Sequence, residues 1–144
     1  WWEAPFVVGG FRYQTAEHYM MAAKARLFGD METFHKVLNS THPKQAKDLG
    51  RGVASFNERI WLEHRFEIVI AANEAKFRQN SMLSDFLIST GDRVLVEASP
   101  VDKIWGIGLA ANDANACSPQ NWQGLNLLGF ALMEVRERIR SQHK

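Results

Sequence analysis

Thr15-Ala-Glu-His-Tyr-Met-Met-Ala-Ala-Lys24 is the stretch on which the reading of the whole chain turns. Thr15 can cap a helix by accepting a backbone N–H, and Glu17 falls in the first turn, where the helix dipole favours a carboxylate. No Pro or Gly interrupts the run before Gly29, so the pattern predicts a helix over Ala16–Phe28 that Gly29 stops. Just upstream, Phe6-Val7-Val8 and Phe11-Arg12-Tyr13 flank Gly9-Gly10, the pattern of a short hairpin.

Downstream the chain continues in helical pieces. Met31–Leu38 fits a second helix, with Phe34 and Leu38 on one side. Thr41-His42-Pro43 opens a third, since proline at the first turn lacks only an N–H that would go unpaired; this helix ends at Gly50 or Gly52. Asn57 caps the longest, running to about Gln79, with Ile60, Trp61, Ile68, Ala71, Ala72 and Ala75 at helical spacing. Ser81 restarts a helix through Leu87, closed by Thr90-Gly91-Asp92. Val94-Leu95-Val96 is brief and β-branched and predicts a strand. From Ser99 to Asn126 the Gly, Asn, Asp and Pro content predicts ordered loop, and Leu127–Arg140 a last amphipathic helix. The expected class is mainly α with a small β-sheet (α+β). With no linker, repeat or low-complexity segment, residues 1–144 are expected to form a single domain.

The totals narrow the function. Hydrophobic residues make up 46% of the 144 and aromatic ones 11%, which is globular rather than disordered composition. Net charge is only +1, which argues against coating a nucleic-acid backbone by charge alone but leaves room for a pocket that reads one nucleotide. Five Trp and nine Phe offer flat faces for stacking on bases. Cys117 is the single cysteine, so no internal disulfide forms and a reducing, cytoplasmic setting is expected. No apolar run approaches the roughly 20 residues needed to cross a bilayer, and no signal peptide is visible. The chain opens on Trp1-Trp2 without an initiator methionine.

Two stretches can carry chemistry. Glu17 and Lys24 lie seven residues apart, so two helical turns bring them to one face. A first-turn Glu and a solvated Lys are routine on helices, so the pair alone decides nothing. Val96-Glu97-Ala-Ser-Pro-Val-Asp102-Lys-Ile-Trp105-Gly106-Ile-Gly108 is denser: Asp102 offers an acceptor or base, Trp105 a stacking face, and the glycines close backbone approach to a ligand. A structural turn around a core Trp explains the same residues. Gly106-Ile-Gly-Leu-Ala-Ala111 mimics a dinucleotide fingerprint, yet no second strand follows and Asn126 stands where an acidic residue is needed. His18, His35, His42, His64 and His143 show no His-x-x-x-His spacing, so neither a metal nor a cofactor is implied.

Taken in order, these pieces resemble the YbiA-like, or NADAR, family. The matching stretches are Glu17-His18-Tyr19 with Lys24-Ala25, Ala46-Lys47 through Gly50-Arg51, Trp61, Lys76-Phe77 and Thr90-Gly91. Glu97, Asp102-x-x-Trp-Gly-x-Gly108, Asn126-x-Leu-Gly129 and Leu132-Met133-x-x-Arg136 continue the pattern. The resemblance covers nearly the whole chain. It implies a mainly helical YbiA-like fold and hydrolysis of N-glycosidic bonds, with related proteins acting on phosphorylated ribosyl intermediates of riboflavin synthesis or removing ADP-ribose from guanine in nucleic acid. By position, Glu17 matches the family's catalytic glutamate, and Lys24 and Asp102 are expected to join it. Trp61, Lys76, Phe77, Glu97, Trp105, Gly106, Gly108 and Asn126 are expected to contact substrate. Family members usually begin with a short aromatic strand and a Ser-Asn-Phe-like turn ahead of the region equivalent to Trp1–Phe6, so the domain is expected to lack a short N-terminal segment.

A carboxylate beside a ribosyl C1′ can stabilise oxocarbenium character and activate water, the role expected of Glu17. Lys24 can bind phosphate as an ammonium or, desolvated, attack the opened sugar as an amine. Two other readings use the same residues: a non-catalytic module binding ADP-ribose or NAD, and a helical nucleic-acid adaptor, which the near-neutral charge disfavours.

Overall fold

The computed structural model describes residues 4–142, so Trp1, Trp2 and His143 lie outside the described residues. The fold is mainly helical with a two-stranded antiparallel sheet, as the sequence pattern predicts. It divides into two compact units, Trp1–Ser84 and Asp85–Lys144.

In the first unit β1 (Phe6–Val8) pairs with β2 (Phe11–Tyr13) in the register Phe6↔Tyr13, Val7↔Arg12, Val8↔Phe11. Gly9 and Gly10 both take positive φ, 59° and 84°, which suits a two-residue turn matched to strand twist. Phe6 and Tyr13 are buried with ring centroids 5.8 Å apart, while Val7 points outward. The Val7 edge is not left open. Its N–H donates to Gln79 Oε1 at 2.8 Å and its carbonyl accepts from Gln79 Nε2 at 2.7 Å, so one amide side chain replaces a third strand.

Helix α1 (Ala16–Leu27) packs against α2 (Met31–Asn39), α3 (Pro43–Arg51) and α4 (Glu58–Arg78). It must therefore be buried on more than one side: His18, Met20, Met21, Ala22 and Ala25 all are. Ala22 and Ala25 are fully buried, and their small side chains let neighbours close in. Gly50 of α3 presses on α1 so tightly that a Cβ there would overlap Met21 Sδ. The caps follow the sequence. Thr15 accepts from His18 N, Asn57 from Ile60 N, and His42 and Gln45 form a capping box with Pro43 in the first turn of α3. Asp30 caps α2 through Thr33 and also accepts from Ala54 N at 2.9 Å, tying the start of α2 to the segment after α3. These backbone and hydroxyl donors hold the Asp30 carboxyl below the usual carboxylate range.

Helix α5 (Ser81–Ser89) leads into the second unit, whose other helix is α6 (Leu127–Gln142). Between them two 3-10 turns, Ala114–Cys117 and Pro119–Asn121, punctuate the loop. The strand expected at Val94-Leu95-Val96 is not there. Leu95 O and Glu97 N, the groups a strand partner would pair, bond instead to the side chain of Asn126, and the adjoining Arg93 carbonyl accepts from Arg136 Nη1 at 2.9 Å. An extended segment whose polar groups are taken by side chains needs no ladder. Among the described residues no helix is long and apolar enough to cross a membrane.

Candidate functional site

The first unit assembles three of the expected residues. Glu17 and Lys24 share one face of α1, and the Lys24 ammonium lies over two aromatic rings, 4.7 Å from the Phe56 centroid and 5.4 Å from that of Trp61. Local sequence explains the clamp. Asn57 is the N-cap of α4, which makes Phe56 the residue before the cap and Trp61 the fourth residue of the helix. Those are the two positions of a hydrophobic staple, which fixes how the chain enters the helix. Ser55, just before, adopts φ 61°, a left-handed conformation uncommon outside glycine, and so turns Phe56 toward α1. Phe28 braces the same ring edge-on at 5.4 Å. Phe56 remains 46% exposed, so part of its ring is open to a ligand.

Burial pushes the Lys24 amine below the ordinary lysine value, and the negative charge of Glu17 opposes that shift. A lysine in this setting holds a larger neutral, nucleophilic fraction than a solvated one. Beneath the pair, His18 fixes the start of α1. Its Nε2 lies 3.1 Å from the Ser40 carbonyl, which can only accept, so Nε2 carries the proton and Nδ1 accepts from the Thr15 hydroxyl at 2.7 Å. Burial lowers the His18 pKa, with the Ser40 bond acting the other way and His42 adding to the depression.

Lys76 and Phe77 do not join this clamp. They sit fifteen residues beyond Trp61 on the same helix, a rise of about 22 Å. Lys76 is buried and its amine is also pushed down by desolvation; Phe77 is half-buried.

In the second unit Glu97, Asp102, Trp105, Gly106 and Asn126 form one hydrogen-bonded knot, with Gly108 two residues beyond Gly106. Asn126 is fully buried at φ 52° and grips the chain on both sides of Val96, accepting from Glu97 N at 2.9 Å and donating to Leu95 O at 3.0 Å. The Glu97 carbonyl accepts from Ile107 N at 2.9 Å, and the Gly106 carbonyl from Asn126 N at 3.0 Å. Asp102 Oδ1 accepts from Ile104 N at 3.0 Å and Trp105 N at 2.8 Å, so one carboxylate oxygen organises the turn that presents the half-buried Trp105. The close approach that the glycines permit is to the protein's own backbone. A Cβ at Gly106 would stand 2.8 Å from both Asp102 O and Glu97 O, and one at Gly108 would stand 3.1 Å from Gln123.

Phe56 is the residue that sequence reasoning passes over. Its signal was present in the aromatic–Asn57–aromatic spacing of the staple, which marks both rings as neighbours of one helix start.

The NADAR domain model matches residues 1–140. An N-glycosidase of Acanthamoeba polyphaga mimivirus is 50% identical over 125 residues, spanning 87% of this chain and 74% of the viral protein. An N-glycosidase of Nostoc punctiforme is 36% identical over 129 residues, 90% of this chain and 76% of that protein. The NMR structure of the E. coli protein YbiA superposes with a TM-score of 0.80 at 28% identity, covering 98% of this chain and 76% of that one.

Proposed function

This chain belongs to the NADAR family, and from that premise we propose that it hydrolyses the C–N bond between a ribose and a nucleobase, with ADP-ribosylated guanine or a phosphoribosyl-type metabolite as substrate. It is an N-glycosyl hydrolase; the named relatives carry that much. The observation that supports the rest is the Lys24 amine, desolvated between Phe56 and Trp61 with Glu17 on the same helix face.

As the C1′–N bond lengthens, positive charge gathers on the ribose, and the Glu17 carboxylate stabilises it. The base leaves with the bonding pair and takes up a proton, while Glu17 receives a proton from the water that attacks C1′. Lys24 holds phosphate as an ammonium or attacks as a neutral amine, and burial shifts its pKa in the direction of the second role. On that route the neutral amine adds to C1′ of the opened sugar as the base departs, and water then hydrolyses the resulting imine to free sugar and amine. The exposed Phe56 face and Trp61 stack on the base. By the family resemblance Asp102 is assigned to catalysis, and Lys76, Phe77, Glu97, Trp105, Gly106, Gly108 and Asn126 to contact with substrate.

Incubation with an ADP-ribosylated guanine oligonucleotide, and separately with a ribosylamino-pyrimidine phosphate, tests the reading. Release of free sugar and intact base from one of them is expected. Binding of ADP-ribose without release from either favours the non-catalytic module instead. Borohydride should trap a covalent adduct on Lys24, and complete absence of a trapped species excludes the imine route.

A further inference from the structure

The chain's near-neutral total hides an uneven distribution. Between Lys36 and Arg51 stand four cationic side chains, Lys36, Lys44, Lys47 and Arg51, against Asp48 alone, a net of +3 in a chain whose total is +1, which leaves −2 for everything else. All five are exposed. Lys44, Lys47 and Arg51 recur at three- and seven-residue spacing, so they share one face of α3. The opposite face, Ala46 and Gly50, is buried, and the tight Gly50–Met21 approach prevents α3 from rolling. The stripe is therefore fixed outward.

Its charges are weakly engaged. Arg51 meets Asp48 at 3.4 Å and Lys36 meets Glu32 at 3.2 Å, both pairs solvent-exposed, and such pairs hold their members loosely. Lys44 and Lys47 make no ion pair among the described residues. Beside the stripe lies an open groove of about 600 Å³ whose walls include Lys36, Asn39, Thr41 and Gln45, groups that hydrogen-bond sugars, phosphates and base edges, together with one carboxylate, Asp48, which is paired with Arg51.

Charge and length select the occupant. From Lys44 to Arg51 the helix rises about 10 Å, the advance of about three nucleotides along one strand of a duplex. A single free phosphate meeting all three would need Lys44 and Arg51 to converge across that span, whereas the successive phosphates of a strand are spaced along it. A lipid surface calls for apolar side chains among the cations, and none of the exposed large hydrophobic residues falls between residues 32 and 55. The C-terminal end of α3 runs through only four residues before Phe56 and the Lys24 clamp.

We propose that Lys44, Lys47 and Arg51, with the α2–α3 groove, bind the phosphodiester backbone of a nucleic-acid strand and lead its target nucleotide toward Phe56 and Trp61. The use made of the strand rests on the N-glycosidase reading; the binding itself does not.

Fluorescence anisotropy of the full chain with an unmodified single-stranded 12-mer, over a salt series, tests it. Three phosphate contacts give a log–log salt slope of about −2 on single strands. The charge-reversed variant Lys44→Glu/Lys47→Glu/Arg51→Glu should lose at least ~10-fold in affinity at low salt and flatten the slope, with the Gln series in between. Release of sugar from a small nucleotide substrate should be unchanged in both variants, which shows that they fold and that the chemistry stands. Equal affinity and slope in wild type and variants overturns the proposal, as does preference for anionic vesicles of phosphatidylserine over the oligonucleotide. A wild type that binds the strand but hydrolyses nothing overturns the glycosidase reading alone; the converse overturns the strand surface alone.

Discussion

Asn126→Ala should be among the most damaging single truncations in the second unit, and its cost can be built from the structure. The side chain is fully buried and makes two hydrogen bonds, to Glu97 N at 2.9 Å and Leu95 O at 3.0 Å. Removing it strands two backbone groups on a half-buried segment, each worth about 1 kcal/mol with partial access to water. The residue also sits at φ 52°, where a Cβ without a polar tip costs about 1–2 kcal/mol. The expected loss is about 3–4 kcal/mol, a large share of the roughly 5–15 kcal/mol of a typical domain. Asn126→Gly separates the two contributions. It keeps the backbone angle and loses both bonds, so it should retain about 1 kcal/mol more than the alanine variant after the extra chain entropy of glycine. Urea unfolding followed by tryptophan fluorescence measures both, with Trp105 and Trp122 reporting on this unit. An alanine variant within about 1 kcal/mol of wild type, or a glycine variant less stable than the alanine one, refutes the idea that Asn126 stands in for a strand partner.

Other perturbations reach different parts of the molecule. Lys24→Met removes a desolvated charge while keeping the stem between Phe56 and Trp61, so the melting temperature should hold or rise while hydrolysis falls at least ~100-fold; a loss of stability with activity retained marks Lys24 as structural. Gly129→Ala would drive a Cβ into Leu95 O and the Asn126 amide and should cost about 3 kcal/mol or more, read as a drop in soluble yield and melting temperature. His18 has a pKa below its ordinary 6.5 in the folded state, so the unfolded chain takes up its proton first as pH falls. Stability should be fully present above about pH 6.5 and decline below it by at most ~1.4 kcal/mol per pH unit, a slope that His18→Gln should reduce; an unchanged slope in the variant assigns the acid sensitivity elsewhere.

The helices were legible because their signals are local. Thr15, Pro43 and Asn57 announce starts, and Gly29 and Gly52 announce stops, within a residue or two of the bonds they satisfy. The hairpin was legible for the same reason, since Gly9-Gly10 supplies the positive φ that a two-residue turn needs between two short β-prone triplets. Val94-Leu95-Val96 misled because its partner is a side chain about thirty residues away, and β-branched composition says nothing about what will meet a backbone. At the site, the Glu17–Lys24 spacing was readable as one helix face, but the clamp around Lys24 depends on how α4 lies against α1, and that is tertiary. Asp102 was visible as a carboxylate in a dense loop; that Oδ1 is committed to Ile104 N and Trp105 N could be seen only in three dimensions.

Glu17 is where the chemistry is most exposed to a direct test. Glu17→Gln removes the negative charge and the proton-accepting oxygen while keeping the shape of the side chain, and single-turnover release of base from a ribosylated substrate reads the consequence. A fall of at least ~100-fold with an unchanged melting curve is expected. A variant that releases base at the wild-type rate contradicts the assignment of Glu17 as the carboxylate that drives the bond cleavage.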